Sequence, residues 1–169
     1  MNLKITLKLQ NLLEQAGATV LLTRSDDTAI YELDTKSLNQ KKVSDIKNRV
    51  KIGNNSEADI FVSIHMNKIP QTQYSGFQTF YNKENAQGKI LSETIQNSLN
   101  NIVDEKNSRL AKSINNIYIA DHVEIPLTIV ECGFLSNPEE LALLLQDDYQ
   151  DKLAFGIYTG IINYFQNLE

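Results

Sequence analysis

The sequence predicts a three-layer α/β/α fold, in which helices cover both faces of a mainly parallel sheet. Short β-rich runs alternate with longer segments of helical period, and this order is typical of such sheets. No internal repeat or low-complexity tract interrupts the alternation. With 169 residues and 41% hydrophobic content the chain is long enough for one core. We therefore expect residues 1–169 to form a single domain.

The first part of the chain is predicted to run α, β, α, β. Apolar residues recur on one helical face over residues 2–16, and Gly17 follows as a C-terminal cap. Residues 19–23 have the composition of a short strand. A second helical period over residues 38–54 precedes an apolar strand at residues 60–64.

The middle of the chain continues the alternation. Residues 76–81 predict a strand, and the apolar period of residues 90–103 predicts a helix. Residues 104–116 are polar and without a period, which indicates a loop. Residues 117–119 and 127–130 are predicted to be further strands.

The last part of the chain carries a strong helix-start signal. Asn137 suits an N-cap, Pro138 the first helical position and Glu140 the third, so that the free amides of the first turn can be satisfied. An apolar period near the C-terminus predicts a final helix, in which Gly156 and Gly160 allow close approach to a neighbouring element.

The composition excludes several kinds of partner and structural feature. The formal net charge is −5, and Lys41-Lys42 is the only adjacent basic pair, so nucleic acid is not an expected partner. The single cysteine, Cys132, excludes an internal disulfide and a cysteine-rich metal cluster. No apolar run approaches the roughly 18 residues of a membrane span, and the first residues lack a signal-peptide core.

Two residues at predicted strand ends could carry chemistry. His65 follows the strand at 60–64, where a neutral imidazole can bind zinc; alternatively, it caps the strand by bonding a backbone carbonyl. Glu131 follows the apolar run 127–130, where a charged carboxylate is costly without a cation or donors. Such burial raises the pKa of a carboxyl group, as a general acid/base requires. On adjacent strands, about 4.8 Å apart, the two could reach one water molecule.

Three other residues have alternative interpretations. His122 lies in a predicted loop, where a solvated side chain is favoured over a metal ligand. Cys132 could be a nucleophile, but its place in a strand-end turn favours a small buried filler. Arg109 could contact a substrate carboxylate or be a solvated loop residue.

Four sequence blocks carry a family resemblance that covers essentially the whole chain. They are residues 21–27, 58–67, 76–81 and 130–137, and they include the motifs Ser-Ile-His-x-Asn and Glu-Cys-Gly-Phe-Leu-Ser-Asn. In this order the blocks resemble the zinc-dependent N-acetylmuramoyl-L-alanine amidases of the Amidase_3 type, and the two motifs are specific to that family. The spacing around Ile117 is similar to the CwlD-like, germination-specific sporulation branch of the family.

The resemblance implies hydrolysis of the amide between N-acetylmuramic acid and L-alanine in peptidoglycan, outside the cytoplasmic membrane, with Zn²⁺ as cofactor. It implies that His65 is a zinc ligand and Glu131 the catalytic acid/base, and that Asn67 and Arg109 contact the substrate. Peptidoglycan is the expected partner, together with a regulatory protein.

The chain also departs from the family pattern. Family members open with a strand ending in Asp-Pro-Gly-His-Gly-Gly and place a glutamate ligand before the helix that begins here at Asn2; the sequence contains neither. We therefore expect an N-terminally truncated amidase domain in which only His65 of three zinc ligands is recognisable. The neighbour of the missing strand should be unpaired, with apolar surface uncovered. The alternatives are a non-catalytic fragment or pseudoenzyme acting as a binding or regulatory module, and a related zinc carboxypeptidase or aminopeptidase.

Overall fold

A four-stranded sheet forms the middle layer of the molecule. The computed structural model describes residues 1–34 and 36–168. Its strands are β1 (Phe61–Asn67), β2 (Gln78–Asn82), β3 (Lys112–Ile114) and β4 (Leu127–Phe134), in the spatial order β1-β4-β2-β3. β1 is parallel to β4 and β2 is parallel to β3, whereas β2 is antiparallel to β4. The sheet is mainly parallel, as predicted, with one antiparallel step at its centre.

Helices cover both faces of this sheet. They are α1 (Asn2–Gln15), α2 (Leu38–Asn54), α3 (Ala86–Ile102), α4 (Tyr118–His122), α5 (Pro138–Leu144) and α6 (Asp147–Gln166). The main core joins α1, α3 and α6 to one face, and a smaller core joins α2 and α4 to the other. The predicted three-layer α/β/α architecture is confirmed. None of the helices in the described part of the chain is long and apolar enough to cross a membrane.

Strand β4 contributes to both cores, which explains its nearly continuous apolar sequence. Val130 and Cys132 lie in the main core, and Leu127 and Ile129 lie in the smaller one. A strand that is buried on both faces needs apolar residues at odd and even positions alike. The carboxylate of Glu131 is therefore an exception within a strand that the fold otherwise keeps apolar.

The close packing of α6 against α3 depends on two glycines. A β-carbon added to Gly160 would lie 2.4 Å from the Cα atom of Ile95, and one added to Gly156 would lie 2.8 Å from a side-chain carbon of Leu99. Both distances are shorter than van der Waals contact. At residue 160 the neighbour is backbone that cannot move aside, so only glycine allows the helices to approach this closely there, whereas at residue 156 a side chain would have to shift. The predicted role of these glycines is confirmed.

The predicted strand at 19–23 is wrong, because these residues have no regular secondary structure. Leu21, Leu22 and Thr23 line a cavity, and β1 lines the same cavity. In the described part of the sheet β1 pairs only with β4, so its other edge is open. In the described part of the chain residues 19–23 pair with no strand, and without a partner strand their backbone groups cannot form a ladder.

The prediction for residues 104–119 is wrong at two points. The predicted loop contains the short edge strand β3, whose exposed and polar sequence lacks an alternating pattern. Residues 117–119 are not a strand, because Ile117 is the N-cap of α4. Ile119 and Ala120 are instead adjacent in one helical turn that packs into the smaller core. A short apolar run cannot be assigned to strand or helix by period alone.

Several boundaries also differ from the prediction. β1 continues to Asn67 and β4 to Phe134, so His65 and Glu131 lie within strands rather than just after them. α3 begins before its apolar period, because Asn85 caps it by accepting a hydrogen bond from the Gly88 amide. Strand ends and caps depend on hydrogen-bond partners that the hydrophobic pattern does not reveal.

Candidate active site

Three polar residues form a row across the sheet. In the parallel pair, His65 of β1 lies opposite Glu131 of β4, and in the antiparallel pair Gln78 of β2 lies opposite the same Glu131. Residues directly opposite each other project from the same face of a sheet. The predicted adjacency of His65 and Glu131 is thus present in the fold, and Gln78 extends the row on the other side.

Glu131 is a half-buried carboxylate without a full set of hydrogen-bond partners. Its Oε2 atom is inaccessible to solvent and has no hydrogen-bond partner in the described part of the chain. Burial raises the pKa of Glu131 to about 7, because the surrounding apolar core disfavours the charged form. A carboxyl group with a pKa near neutrality can both accept and return a proton.

His65 projects from the neighbouring strand and is exposed to solvent. Surrounding protein atoms and, to a smaller extent, the positive charge of Arg49 hold the pKa of His65 below its usual range. The imidazole is therefore neutral at physiological pH, and a neutral imidazole nitrogen has a lone pair available for a metal or a proton.

A large cavity opens beside the free edge of β1. Its volume is about 980 Å³, and His65 and Glu131 both line it. Asn2 at the start of α1 donates a side-chain hydrogen bond of 3.1 Å to the carbonyl of Ile64, which satisfies one acceptor on this free edge. Apolar side chains form much of the remaining wall, including Leu21, Leu22, Ile46, Phe61, Val62 and Ile64.

Asn67 lies at the end of β1, on the rim of the same cavity. Its backbone carbonyl accepts a hydrogen bond of 2.8 Å from the amide of Leu135. The β1–β4 register shifts between His65 and Asn67. Asn67 thus shares the cavity with His65 and Glu131, as a substrate contact would require.

Arg109 lies beyond β2, outside this cavity. Its Nε donates a hydrogen bond of 3.0 Å to the carbonyl of Ser75, and its Nη1 donates one of 3.2 Å to the side-chain oxygen of Gln78. Its guanidinium carbon is 5.3 Å from the centre of the Phe134 ring. Arg109 is therefore connected to Glu131 through Gln78, at the end of the row opposite His65.

Glu140 orders the turns around this end of the row. The Asn137 side chain caps α5 by accepting hydrogen bonds from the amides of Glu139 and Glu140, so the predicted cap is confirmed. The Glu140 carboxylate, however, accepts hydrogen bonds from the amides of Gly76 at 2.6 Å and Phe134 at 2.7 Å. It thereby joins the segment before β2 to the end of β4.

Sequence reasoning identified neither Gln78 nor Glu140 as part of the site. Gln78 lies in an alternating strand, where a polar residue is ordinary. Glu140 was interpreted only as part of a helix start. The sequence signal for Glu140 was its place two residues after the proline at the first helical position. The two residues that donate hydrogen bonds to its carboxylate, Gly76 and Phe134, are 64 and 6 residues away in sequence.

His122 and Cys132, the other two candidate residues from the sequence, lie outside the row formed by His65, Glu131 and Gln78. His122 is exposed at the end of α4, not in a loop, and its ring stacks on Tyr118 with ring centres 3.9 Å apart. Cys132 is fully buried. Burial and, to a smaller extent, the negative charge of the nearby Glu131 raise the pKa of its thiol far above the ordinary value. Such a thiol is a poor nucleophile, in agreement with its interpretation as a core filler.

The sequence of this chain was compared with those of known protein families. Residues 1–163 match the Amidase_3 family, described as N-acetylmuramoyl-L-alanine amidase. The chain belongs to this amidase family. The germination-specific N-acetylmuramoyl-L-alanine amidase of Bacillus subtilis is 40% identical over 163 residues, which cover 96% of this amidase chain and 68% of the relative.

Two solved structures support the same assignment. The CwlD amidase of Clostridioides difficile, solved in complex with the GerS lipoprotein, is 44% identical with a TM-score of 0.95; the match covers 98% of this amidase and 84% of that chain. An N-acetylmuramoyl-L-alanine amidase of Clostridium difficile 630 is 30% identical with a TM-score of 0.82, and the match covers 99% and 83% of the two chains. This amidase is therefore similar in fold and sequence to a germination-specific enzyme and to a CwlD enzyme of the family.

The described residues of this amidase can be compared with the ligand set of a catalytic zinc ion. A catalytic zinc ion takes three protein ligands. Within residues 1–34 and 36–168, no group of three or more His, Cys, Asp or Glu side chains is placed to hold a metal ion. His65 fits a single ligand, and the unpartnered Oε2 of Glu131 is available beside it. The described residues do not form a complete three-ligand zinc site.

Proposed function

We propose that this amidase hydrolyses the amide that joins N-acetylmuramic acid to L-alanine in peptidoglycan, in the manner of the germination-specific enzymes. Membership of the family supports the reaction, and 40% identity to a germination-specific amidase supports the branch. The observation that carries the proposal is the half-buried Glu131, whose Oε2 has no partner among the described residues and whose strand position is paired with His65.

We assign the proton transfers to Glu131. With a pKa raised to about 7 by burial, its carboxylate can accept the proton of the attacking water and its acid form can return that proton to the departing alanine nitrogen. Asn67, on the cavity rim, is proposed to contact the substrate on the β1 side of Glu131. Arg109 is proposed to contact it on the β2 side.

Zinc dependence is part of the proposal because the resemblance to zinc amidases implies it. His65 is the proposed ligand within this chain, since its lowered pKa keeps the imidazole neutral. The remaining ligands are not among the described residues. The chemistry assigned to this chain is therefore limited to proton transfer at Glu131 and orientation of the substrate.

The proposed place of action is the cell wall or the envelope of the spore, outside the cytoplasmic membrane. The names of the relatives, which include probable cell wall amidases, support this location. One similar amidase was solved in complex with a lipoprotein, which supports a protein partner for this chain as well.

The replacement Glu131→Gln tests the assignment. It preserves the shape of the side chain but cannot accept the proton, so we expect turnover of purified peptidoglycan, measured as newly released amino termini, to fall by about 10²–10⁴-fold. Glu139→Gln, on the exposed first turn of α5, is the matched control and should retain wild-type activity. Unchanged activity in Glu131→Gln would overturn the proposed role of Glu131.

The incomplete ligand set favours a second candidate function. A non-catalytic module would keep the fold and bind peptidoglycan without cleaving it. The purified chain would then sediment with cell walls but release no amino termini in the presence of zinc. Release of amino termini in that assay, abolished by Glu131→Gln, would exclude this candidate.

A further inference from the structure

Resting on the proposed function, we propose that Arg109 binds a carboxylate of the substrate peptide and thereby sets the direction in which peptidoglycan lies across the site. Gln78 is the positioning residue that holds Arg109 for this contact. The peptide would lie over β2, and the glycan would lie towards the cavity beside β1.

The first argument is that Arg109 is held rigidly without a counter-ion. Its hydrogen bonds go to a backbone carbonyl, that of Ser75, and to an uncharged amide, that of Gln78. Its guanidinium also faces the Phe134 ring at 5.3 Å. In the described part of the chain no acidic side chain forms an ion pair with it. These bonds use Nε and Nη1 and leave the donors of Nη2 for an external acceptor.

The second argument is that the surrounding structure is built around this arginine. The side-chain amide of Asn100 donates a hydrogen bond of 3.1 Å to the Arg109 carbonyl, and Asn107 donates one of 3.0 Å to the Phe77 carbonyl. Gly76 has a φ of +90°, and a β-carbon there would lie 2.7 Å from the Asn107 side chain and 3.4 Å from the Arg109 Nε. Residue 76 is therefore suited to glycine by its backbone conformation and by the space beside Asn107. The hydrogen bonds to Ser75 and Gln78 hold the arginine side chain in position before a ligand binds.

Gln78 connects this arginine to the reacting groups. Its side-chain oxygen accepts from Arg109, while its side-chain nitrogen donates a hydrogen bond of 2.9 Å to the Leu110 carbonyl. Both polar atoms of Gln78 are thus used within the protein, which makes it a support and not a ligand. Because Gln78 lies opposite Glu131, the arginine is one strand away from the proposed acid/base, on the side away from His65.

The chemistry of the substrate decides which group Arg109 can bind. The lactyl carboxyl group of N-acetylmuramic acid is consumed in the amide bond that is cleaved, so the sugar side retains no carboxylate. The peptide side ends in a carboxylate. The positively charged guanidinium group prefers such an anion, because a hydrogen bond from Nη2 to a carboxylate is charge-assisted.

A binding experiment on the full chain tests this inference without requiring turnover. Two alanyl dipeptides that differ only in a C-terminal carboxylate or carboxamide are titrated into the protein by calorimetry at low ionic strength. We expect the carboxylate form to bind about tenfold more tightly or better, because a hydrogen bond to a charged group is stronger than one to a neutral group. The preference should diminish with added salt, which screens the charge.

Variants of the protein show which residue causes the preference for the carboxylate peptide. Arg109→Gln should bind both peptides equally, and Gln78→Met, which removes the supporting oxygen, should reduce the preference while circular dichroism shows an unchanged fold. Lys106→Gln removes an exposed positive charge from the same segment and should leave the preference at its wild-type value. A preference retained in Arg109→Gln, or equal affinities of the wild-type protein for the two peptides, would overturn the inference.

Activity on peptidoglycan is measured separately, so that the two failures are distinguishable. Turnover without a carboxylate preference would leave the proposed function standing and overturn the role of Arg109. A carboxylate preference lost in Arg109→Gln, in a protein without turnover, would support the subsite and count against the proposed hydrolysis.

Discussion

The burial of the Oε2 atom of Glu131 affects both the stability of the fold and the chemistry of the site. Its neighbours in β4 are core residues, yet its Oε2 is enclosed without a partner among the described residues. Burying a polar group in this way costs free energy, and the fold recovers none of it through a hydrogen bond. The cost is also what raises the pKa of Glu131 to about 7. A residue that destabilises the fold in this way is a reason to look for function.

The proposed metal ligand gives a prediction at the residue scale. If His65 binds zinc, His65→Ala should weaken zinc binding by more than about 100-fold, since even the loss of a residue that only supports a ligand costs 10–100-fold. Zinc bound after dialysis against limiting metal, measured by plasma mass spectrometry, checks this. His122→Ala removes the exposed histidine of α4 and serves as the control. Equal zinc contents of wild type and His65→Ala would contradict the assignment.

Asp45 gives a second residue-scale prediction, concerning pH. Burial acts to raise its pKa, but hydrogen bonds from Arg49 and the Ile30 amide, together with the charges of Arg49 and Arg24, outweigh burial and hold the pKa below the usual value. Its stabilising contribution is therefore complete above the unfolded-state pKa of about 3.9 and is lost as pH falls through the lower folded-state value. Asp45→Asn should lower the free energy of unfolding by about 1 kcal/mol at neutral pH.

Urea denaturation of wild type and Asp45→Asn, from neutral pH down to about pH 3, measures this contribution. The difference between the two proteins should shrink at the acid end of the series. Asp34→Asn changes the same charge at an exposed position and serves as the control. A constant difference for Asp45→Asn across the series would contradict the prediction.

The pairing of α3 with α6 gives a prediction at the scale of the element. A methyl group on residue 160 would collide with the backbone of Ile95, which cannot move without displacing α3. Gly160→Ala should therefore destabilise the protein by about 1–3 kcal/mol, although alanine favours a helix by about 1 kcal/mol over glycine. Thermal denaturation followed by circular dichroism measures the effect.

Lys152→Ala is the control for this element, because residue 152 is exposed on α6 and the same helix gains an alanine. We expect that control to be neutral or slightly stabilising. A Gly160→Ala protein as stable as wild type would mean that α3 and α6 can separate at little cost, which would contradict the packing argument.

The molecule as a whole is expected to open unevenly. Most residues between α1 and α2 are exposed and have no regular secondary structure where they are described, and side chains of α2 such as Asp45 and Asn48 hold them through backbone hydrogen bonds. In contrast, β4, α3 and α6 share the main core. Segments with few buried contacts open at lower free energy than the core.

Amide hydrogen exchange, followed by mass spectrometry of peptides, checks this expectation. Amides of residues 18–34 should exchange orders of magnitude faster than those of β4 and α6, because global unfolding limits exchange only in the core. Brief proteolysis should cleave first in the same segment. Equal protection of that segment and β4 would show that the connection between α1 and α2 is part of the cooperative core.

Features that depend on local pattern were predictable from the amino-acid sequence alone. Helical periods located α2 and α6, apolar runs located β1 and β4, and the motifs around His65 and Glu131 identified the amidase family. These features are local, because a period or a cap is contained within one segment of the chain. The adjacency of His65 and Glu131 was also predictable, since parallel strands align equivalent ends.

Features that depend on partners distant in sequence were not predictable in this way, because they arise from tertiary contacts. Residues 19–23 resemble a strand but have no neighbour to pair with, and residues 117–119 form a helix start because the smaller core accepts one helical turn there. The register that aligns Gln78 with Glu131, and the support of Arg109 by Gln78, arise from pairing across the sheet. Hydrogen-bond register and burial are properties of contacts between segments, and no single segment encodes them.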